Sequence, residues 1–576
     1  MPGPRRAGIA LGCVALWVLA AQMAGAAARA PAFGTRGMVV ASEAGATRAG
    51  LAMLESGGNA VDAAVAAAFA LGVTQPFSAG VGGGALLLIR RPDGEVIALD
   101  ARETAPAAAH RDLYLQPGLP ERASQLGPLA VATPGFVAGC ALALERWGTK
   151  SLAEALAPAI ALAEDGVEIG PYHTRMLGFV RPRLGDRFPE TARIQFPPPG
   201  EPLRPGWRLV QRDLARTLRR IAREGPEVFY TGDLARALAD HVQKAGGLLS
   251  EADFADYRPV LREPLRGEYR GHSVHTFPPP SSAAVMLQML NILEGAELPP
   301  ESAGSSAAVH RIAEAMKIAF ADRAHFLGDA DFVEVPVATL ISKPYARAQR
   351  ARLLVPWWKR APWRWAAAER AVRVRGPGQV PDDSGTAHLS TSDAAGGAVA
   401  LTMTINTPFG SGITVPGTGV VLNNEMDDFS IAPGTPNVYG LVDTRGANAI
   451  APGKRPLSSM SPTLVEKDGR LFMVTGSPGG PRILSSTLLT LIGVIDFGLD
   501  VSQAVSAPRF HHQWVPDVLR VEPATPADVI EGLRRRGHEV EISPYDWSAV
   551  ESITVDAGGV HRGAADPRRD GLAAGY

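Results

Sequence analysis

Large apolar residues fall on every second position from Val399 to Ile405, after Asp393-Ala394-Ala395-Gly396-Gly397, and Leu389 stands on the other side of that break. A period of two around a glycine-bearing break predicts a β-hairpin, with strands over residues 386–392 and 398–406. A symmetric loop sets Thr386 opposite Thr404, His388 opposite Thr402 and Ser390 opposite Ala400. Leu389, Val399, Leu401, Met403 and Ile405 then share a core face. Thr386, His388, Thr402, Thr404 and Asn406 share the other, which is small and polar. A slip of one residue would exchange the two faces, so the pattern also sets the register.

Similar reasoning places other elements. Residues 38–41 form a short apolar strand. Asn59 caps a helix with Asp62 at its third position, and residues 60–71 are apolar almost all round, so this helix is expected to be buried. Residues 85–91 and 95–101 read as a hairpin about Pro92-Asp93-Gly94, its second strand leading straight into Arg102. Residues 131–260 are mainly helical, with a capping box at Ser151 and Glu154 and a solvated basic helix face over 212–223. Helices recur at 285–294 and 309–326. A hairpin with an Asp468-Gly469 turn runs into Gly476-Ser477-Pro478-Gly479-Gly480, where Pro481 opens a further helix. These elements make an α/β (α+β) chain.

Composition narrows the address and the partners. The chain has 576 residues, 46 % of them hydrophobic, which is enough for a large core. A formal net charge of -1 argues against a nucleic-acid partner. Arg5 and Arg6, the apolar stretch 7–19 and small residues between Ala24 and Ala30 have the form of a secretory signal, 1–30. Export to the periplasm or the medium is expected; retention of the apolar stretch as an anchor is the lesser reading. Once the signal is removed only Cys140 remains, which excludes an intrachain disulfide. The 12 His show no metal-ligand spacing, so neither a metal nor another cofactor is expected. The stretch 353–385 is basic and Trp-rich (357–365), and reads as a connector ending at Thr386.

Four stretches carry candidate chemistry. At Gly385-Thr386 a backbone break would free the Thr386 amine beside its own hydroxyl, and Thr404 would add a second hydroxyl. Gly385 is expected to tolerate the backbone that an N-to-O acyl shift needs. Arg102 lies where a strand gives way to a loop, a usual place for a ligand-binding charge; its residue-level alternative is a surface ion pair with Glu103 or another acid. Glu425, Asp427 and Asp428 crowd three carboxylates into four residues, without EF-hand spacing. Gly479 and Gly480 precede a helix, where backbone N–H groups point one way and suit an anion or oxyanion.

Together these stretches resemble the γ-glutamyltranspeptidases, a family of N-terminal-nucleophile hydrolases. The resemblance rests on residues 57–64, 102–106, 385–390, 423–430, 456–462, 476–480, 507–514 and 566–568. It implies an αββα sandwich with two stacked, mostly antiparallel sheets, and self-cleavage into a large subunit (31–385) and a small catalytic one (386–576). It also implies roles. Thr386 is the nucleophile, Thr404 its neighbour, and Gly479 and Gly480 the oxyanion hole. Arg102 holds the substrate α-carboxylate with help from Ser458 and Ser459, while Asn406, Glu425 and Asp428 hold its α-amine. Tyr439 belongs to a lid over the pocket. The implied substrates are glutathione and other γ-glutamyl donors, with amino acids, peptides or water as acceptors. A β-lactam side-chain acylase of the same superfamily is the alternative, and a processed but inactive binding protein is a third reading.

Overall fold

The structure is a computed structural model that describes residues 29–353 and 385–576. The expected signal up to residue 28 and the connector 354–384, with its Trp-rich stretch, lie outside these residues.

Two seven-stranded antiparallel sheets form the centre. The first runs, in spatial order, Leu572–Gly575, Gly37–Ala41, Gly385–Asp393, Ala398–Asn406, Gly84–Arg90, Val96–Ala101 and Val260–Arg262. The second runs Ala32–Gly34, His561–Ala565, Glu551–Val555, Arg470–Thr475, Thr463–Lys467, His272–Thr276 and Leu265–Tyr269. The expected hairpin is present, with Thr386 paired to Thr404, His388 to Thr402 and Ser390 to Ala400.

The period-two pattern explains the layering. Ala85, Leu87, Ile89, Leu389, Val399, Leu401 and Met403 face a helical layer that includes Ala44–Glu55, Ala60–Thr74 and Phe136–Trp147. Their alternates Leu86, Leu88, Ala398 and Ala400 face the second sheet and meet Leu464, Val474 and Ile553. On that sheet's far side, Val274, Val465 and Met473 pack on Ala283–Leu293, Ser306–Phe326 and Arg482–Ile495. The result is the expected αββα sandwich. Both faces of the Thr386 hairpin are therefore buried; the polar face is covered by the second sheet instead of meeting water.

The helix Ala60–Thr74 is buried along its whole length and closed by the Asn59/Asp62 capping box, and Ser151 and Glu154 form the second box. Among the described residues no helix is long and apolar enough to cross a membrane.

Candidate functional site

The site begins with an irregularity in the central hairpin. Gly385 pairs with Asn406 and Thr386 with Thr404, so the ladder shifts between them, and Asn406 takes a left-handed φ of 74°. Bulges of this kind re-aim side chains at the ends of strands. Gly385 also meets a steric limit. A Cβ there would lie 2.2 Å from the Thr407 carbonyl oxygen, so the position is set by lack of room.

Thr404 Oγ1 is the hub. It donates to the Gly385 carbonyl at 2.8 Å and accepts the Asn406 N–H at 2.8 Å. It lies 2.9 Å from Thr386 Oγ1. A hydroxyl has one proton, and a carbonyl only accepts. The Thr404 proton is therefore committed to Gly385, and Thr386 must donate to Thr404. Arg569 donates to the Thr386 carbonyl at 3.0 Å. The arrangement fixes the Thr386 hydroxyl and polarises the carbonyl just before it.

A cationic and acidic cluster lies on the same cleft. Arg102 is fully buried, which overturns the surface ion pair as its reading. Its guanidinium binds Asp428 at 2.6 Å, Glu103 at 3.4 Å and Glu425 at close range, and Nε donates to the Pro456 carbonyl at 3.2 Å. Burial by itself would lower the Arg102 pKa, but Glu425, Glu103 and Asp428 outweigh it and keep the charge. Burial pushes Glu425 well up, Glu103 up to about 7 and Asp428 up, each partly offset by Arg102. The group is thus a buried cluster of three acids with one permanent cation at its centre. Asp427 does not join it. Asp427 accepts from Ser124 Oγ at 2.6 Å and from the Val438 N–H at 3.0 Å, and so ties the acidic turn to the segment that carries Tyr439.

A narrow cleft is lined by Thr386, Thr404, Asn406, Arg102, Glu425, Asp428, Tyr439, Ser458, Ser459 and Gly480, among others. Tyr439 closes one side, its hydroxyl 2.7 Å from both the carbonyl and the side-chain oxygen of Asn406. Gly480 has φ +55°, and a Cβ there would meet the Tyr439 ring at 2.8 Å. Gly479 (φ +128°) lies beside Ser548, whose hydroxyl donates to the Pro478 carbonyl at 2.7 Å. Of the residues singled out from the sequence, Gly385, Asp427 and Gly479 do not line the cleft; Gly479 adjoins Gly480 in the turn before the helix Arg482–Ile495.

Several neighbours have no functional role assigned from the sequence, although the register places His388 beside Thr402. His388 is buried, and burial lowers its pKa to about 3. Ser390 spends its proton on the Glu551 carbonyl at 2.8 Å, so the His388 Nε2–H donates to Ser390 at 3.2 Å and Nδ1 accepts from Thr402 at 2.9 Å. Its neutral tautomer is thereby fixed. Arg323 donates to Ser282 Oγ at 3.0 Å; burial lowers its pKa to about 10, opposed by Asp428 and Asp443. Glu551 has neither carboxyl oxygen hydrogen-bonded, and burial pushes it well up against the pull of Arg569. The signal for Arg569 was close at hand, since it directly follows the 566–568 stretch.

A family model described as Gamma-glutamyltranspeptidase matches residues 46–576. A glutathione hydrolase proenzyme of Escherichia coli K12 is 44 % identical over 95 % of this chain and 93 % of its own length. An acylase ACY 1 proenzyme of Pseudomonas sp. V22 is 42 % identical over 94 % of both chains. Among solved structures, a cephalosporin acylase from Bacillus halodurans superposes with a TM-score of 0.82 at 30 % identity, covering 96 % of this chain and 97 % of its own.

Proposed function

The chain belongs to the γ-glutamyltranspeptidase family, and from that premise we propose that it is a self-processed γ-glutamyl hydrolase and transferase with Thr386 as its nucleophile. The observation that carries the reading is the hydroxyl relay from Thr386 through Thr404 to the Gly385 carbonyl, opening on the same cleft as Arg102 and Asp428.

Processing comes first. The Thr386 hydroxyl attacks the Gly385 carbonyl carbon, the Gly385–Thr386 C–N bond breaks, and the nitrogen takes the hydroxyl proton. The Thr404 hydroxyl supports the negative charge that develops on the carbonyl oxygen. The resulting ester between Gly385 and Thr386 Oγ is opened by water. This leaves a Gly385 carboxylate and a free Thr386, and hence a heterodimer of 31–385 and 386–576 after loss of the 1–30 signal. Export follows from that signal.

Catalysis reuses the same atoms. The freed α-amine, with an intrinsic pKa of about 8, takes the Thr386 hydroxyl proton. The oxygen attacks the γ-carbonyl of glutathione or another γ-glutamyl donor, and the Gly479 and Gly480 N–H groups stabilise the oxyanion. The donor amine leaves with the proton. Water then releases glutamate from the glutamyl-Thr386 ester, or the amine of an amino acid or peptide takes up the glutamyl group. Arg102 recognises the α-carboxylate, aided by Ser458 and Ser459. Asp428, Glu425 and Asn406 recognise the α-amine, and Tyr439 covers the pocket. Arg102 and Asp428 pair with each other, so a zwitterion enters by exchanging one ion pair for two.

The acylase relatives favour a second reading, an acylase acting on β-lactam side chains. The charges separate the two: a donor with a free α-amine and α-carboxylate together makes use of Arg102 and Asp428. The test is purified protein with γ-glutamyl-p-nitroanilide, glutathione and a cephalosporin, with Thr386→Ala as control. Release of p-nitroaniline by a two-band protein, and none by a one-band Thr386→Ala, supports the proposal. Cleavage of the cephalosporin alone refutes it in favour of the acylase.

A further inference from the structure

On the outer side of the second sheet, three side chains from distant parts of the chain converge. His310 and Glu314 sit four residues apart on the helix Ser306–Phe326 and share a face. His538 comes from the turn after the helix Ala527–Arg535. These helices approach closely, since a Cβ on Gly532 would lie 2.4 Å from Ser306 Oγ. One ligand atom from each of His310, Glu314 and His538 lies within 4.8 Å of the other two. His310 Nδ1 and His538 Nε2 face each other at 2.7 Å, with ring centroids 5.0 Å apart.

We propose that His310, Glu314 and His538 bind a divalent transition-metal ion of the zinc class. Two imidazoles and one carboxylate are a nitrogen-rich donor set that suits Zn²⁺ and not the all-oxygen preference of Ca²⁺ or Mg²⁺. The ligands are carried by packed helices, and Glu314 and His538 are buried while His310 is half-buried and gives an entry path. One facing imidazole must move its proton to its other ring nitrogen, which frees both nitrogens for the ion without net proton release.

The surroundings hold the carboxylate in place. Lys317 reaches Glu314 at 3.4 Å and Asp517 at 2.7 Å, and Asp517 accepts from His512 at 3.0 Å. Lys317 keeps Asp517 as its partner when Glu314 turns to the ion. Three protein ligands leave a fourth position for water. The ion would fasten Ser306–Phe326 to the segment leading into the strand Val540–Ile542, away from the Thr386 cleft.

The test uses the full processed protein, free of any affinity tag and stripped with chelator. Zn²⁺ is titrated by calorimetry, and Co²⁺ by its visible absorption. One ion per chain at micromolar or tighter affinity, tetrahedral Co²⁺ bands and a raised Tm with Zn²⁺ are expected. His538→Ala and the near-isosteric Glu314→Gln should each weaken binding by about 100-fold or more, with circular dichroism confirming that they fold. No Zn²⁺ binding by the wild type, unchanged affinity in both variants, or equal binding of Ca²⁺ would overturn the proposal and leave His310 and His538 as a hydrogen-bonded packing pair.

Discussion

Replacing Thr404 by valine keeps the shape of the side chain and removes its three hydrogen bonds, at 2.8, 2.8 and 2.9 Å. Two consequences separate cleanly. The buried Asn406 N–H loses its acceptor, which costs about 1–3 kcal/mol of stability. The Gly385 carbonyl loses the Thr404 donor at its oxygen, where charge develops during processing. Loss of one such preorganised donor slows related acyl chemistry by about 100- to 1,000-fold. Precursor synthesised in a cell-free pulse and followed on denaturing gels gives the cleavage rate directly. Thr404→Val should slow cleavage by that factor, while Thr404→Ser, which keeps the hydroxyl, should stay within about tenfold of wild type. A thermal scan confirms that both fold. A folded Thr404→Val that processes at the wild-type rate would refute the relay and the assignment of Thr404 to it.

Asp428→Asn removes one member of a desolvated pair and should lower kcat/KM for γ-glutamyl donors by roughly 30- to 4,000-fold while leaving two bands on a gel; steady-state kinetics on the processed variant checks this. Asp427 is pushed up to about 6 from 3.8 by burial, so the native state holds its proton where the unfolded chain has lost it. Its contribution to stability is therefore full below pH 4 and disappears as pH rises to 6, a change of about 3 kcal/mol. Asp427→Asn, permanently neutral, should gain Tm relative to wild type by about 3 °C between pH 4 and pH 7; a constant difference in scanning calorimetry would count against the buried-acid reading. Gly476→Ala places a Cβ 2.3 Å from His388 Cε1 and should cost about 1–3 kcal/mol by overpacking, read as a Tm lower by about 1–3 °C.

The parts of this molecule that could be read from its sequence are those whose physics is local. The 386–406 hairpin declared both strand ends and register, because its alternation and its loop admit one pairing. The helix Ala60–Thr74 declared its cap and its burial in the same way. Its polar neighbour face was harder. Thr386 and His388 could be placed on a small polar face, and only the second sheet, built from residues as distant as Glu551, makes that face interior. Arg102 shows the same limit for charge. A strand-end arginine beside a glutamate is ordinarily a surface pair; what changes its meaning is Glu425 and Asp428, more than 300 residues on. Burial then decides the chemistry. In water an Arg–Asp contact is worth little, whereas here burial pushes the acids up and those same acids keep the buried cation charged. His310, Glu314 and His538 carry the argument furthest. Spacing along the chain suggested no metal group, since His310 and His538 are 228 residues apart, and the donor set exists only because two helices pack at Gly532. A sequence states which side chains can do chemistry; the sandwich decides which of them share a dielectric, and with that which ones do.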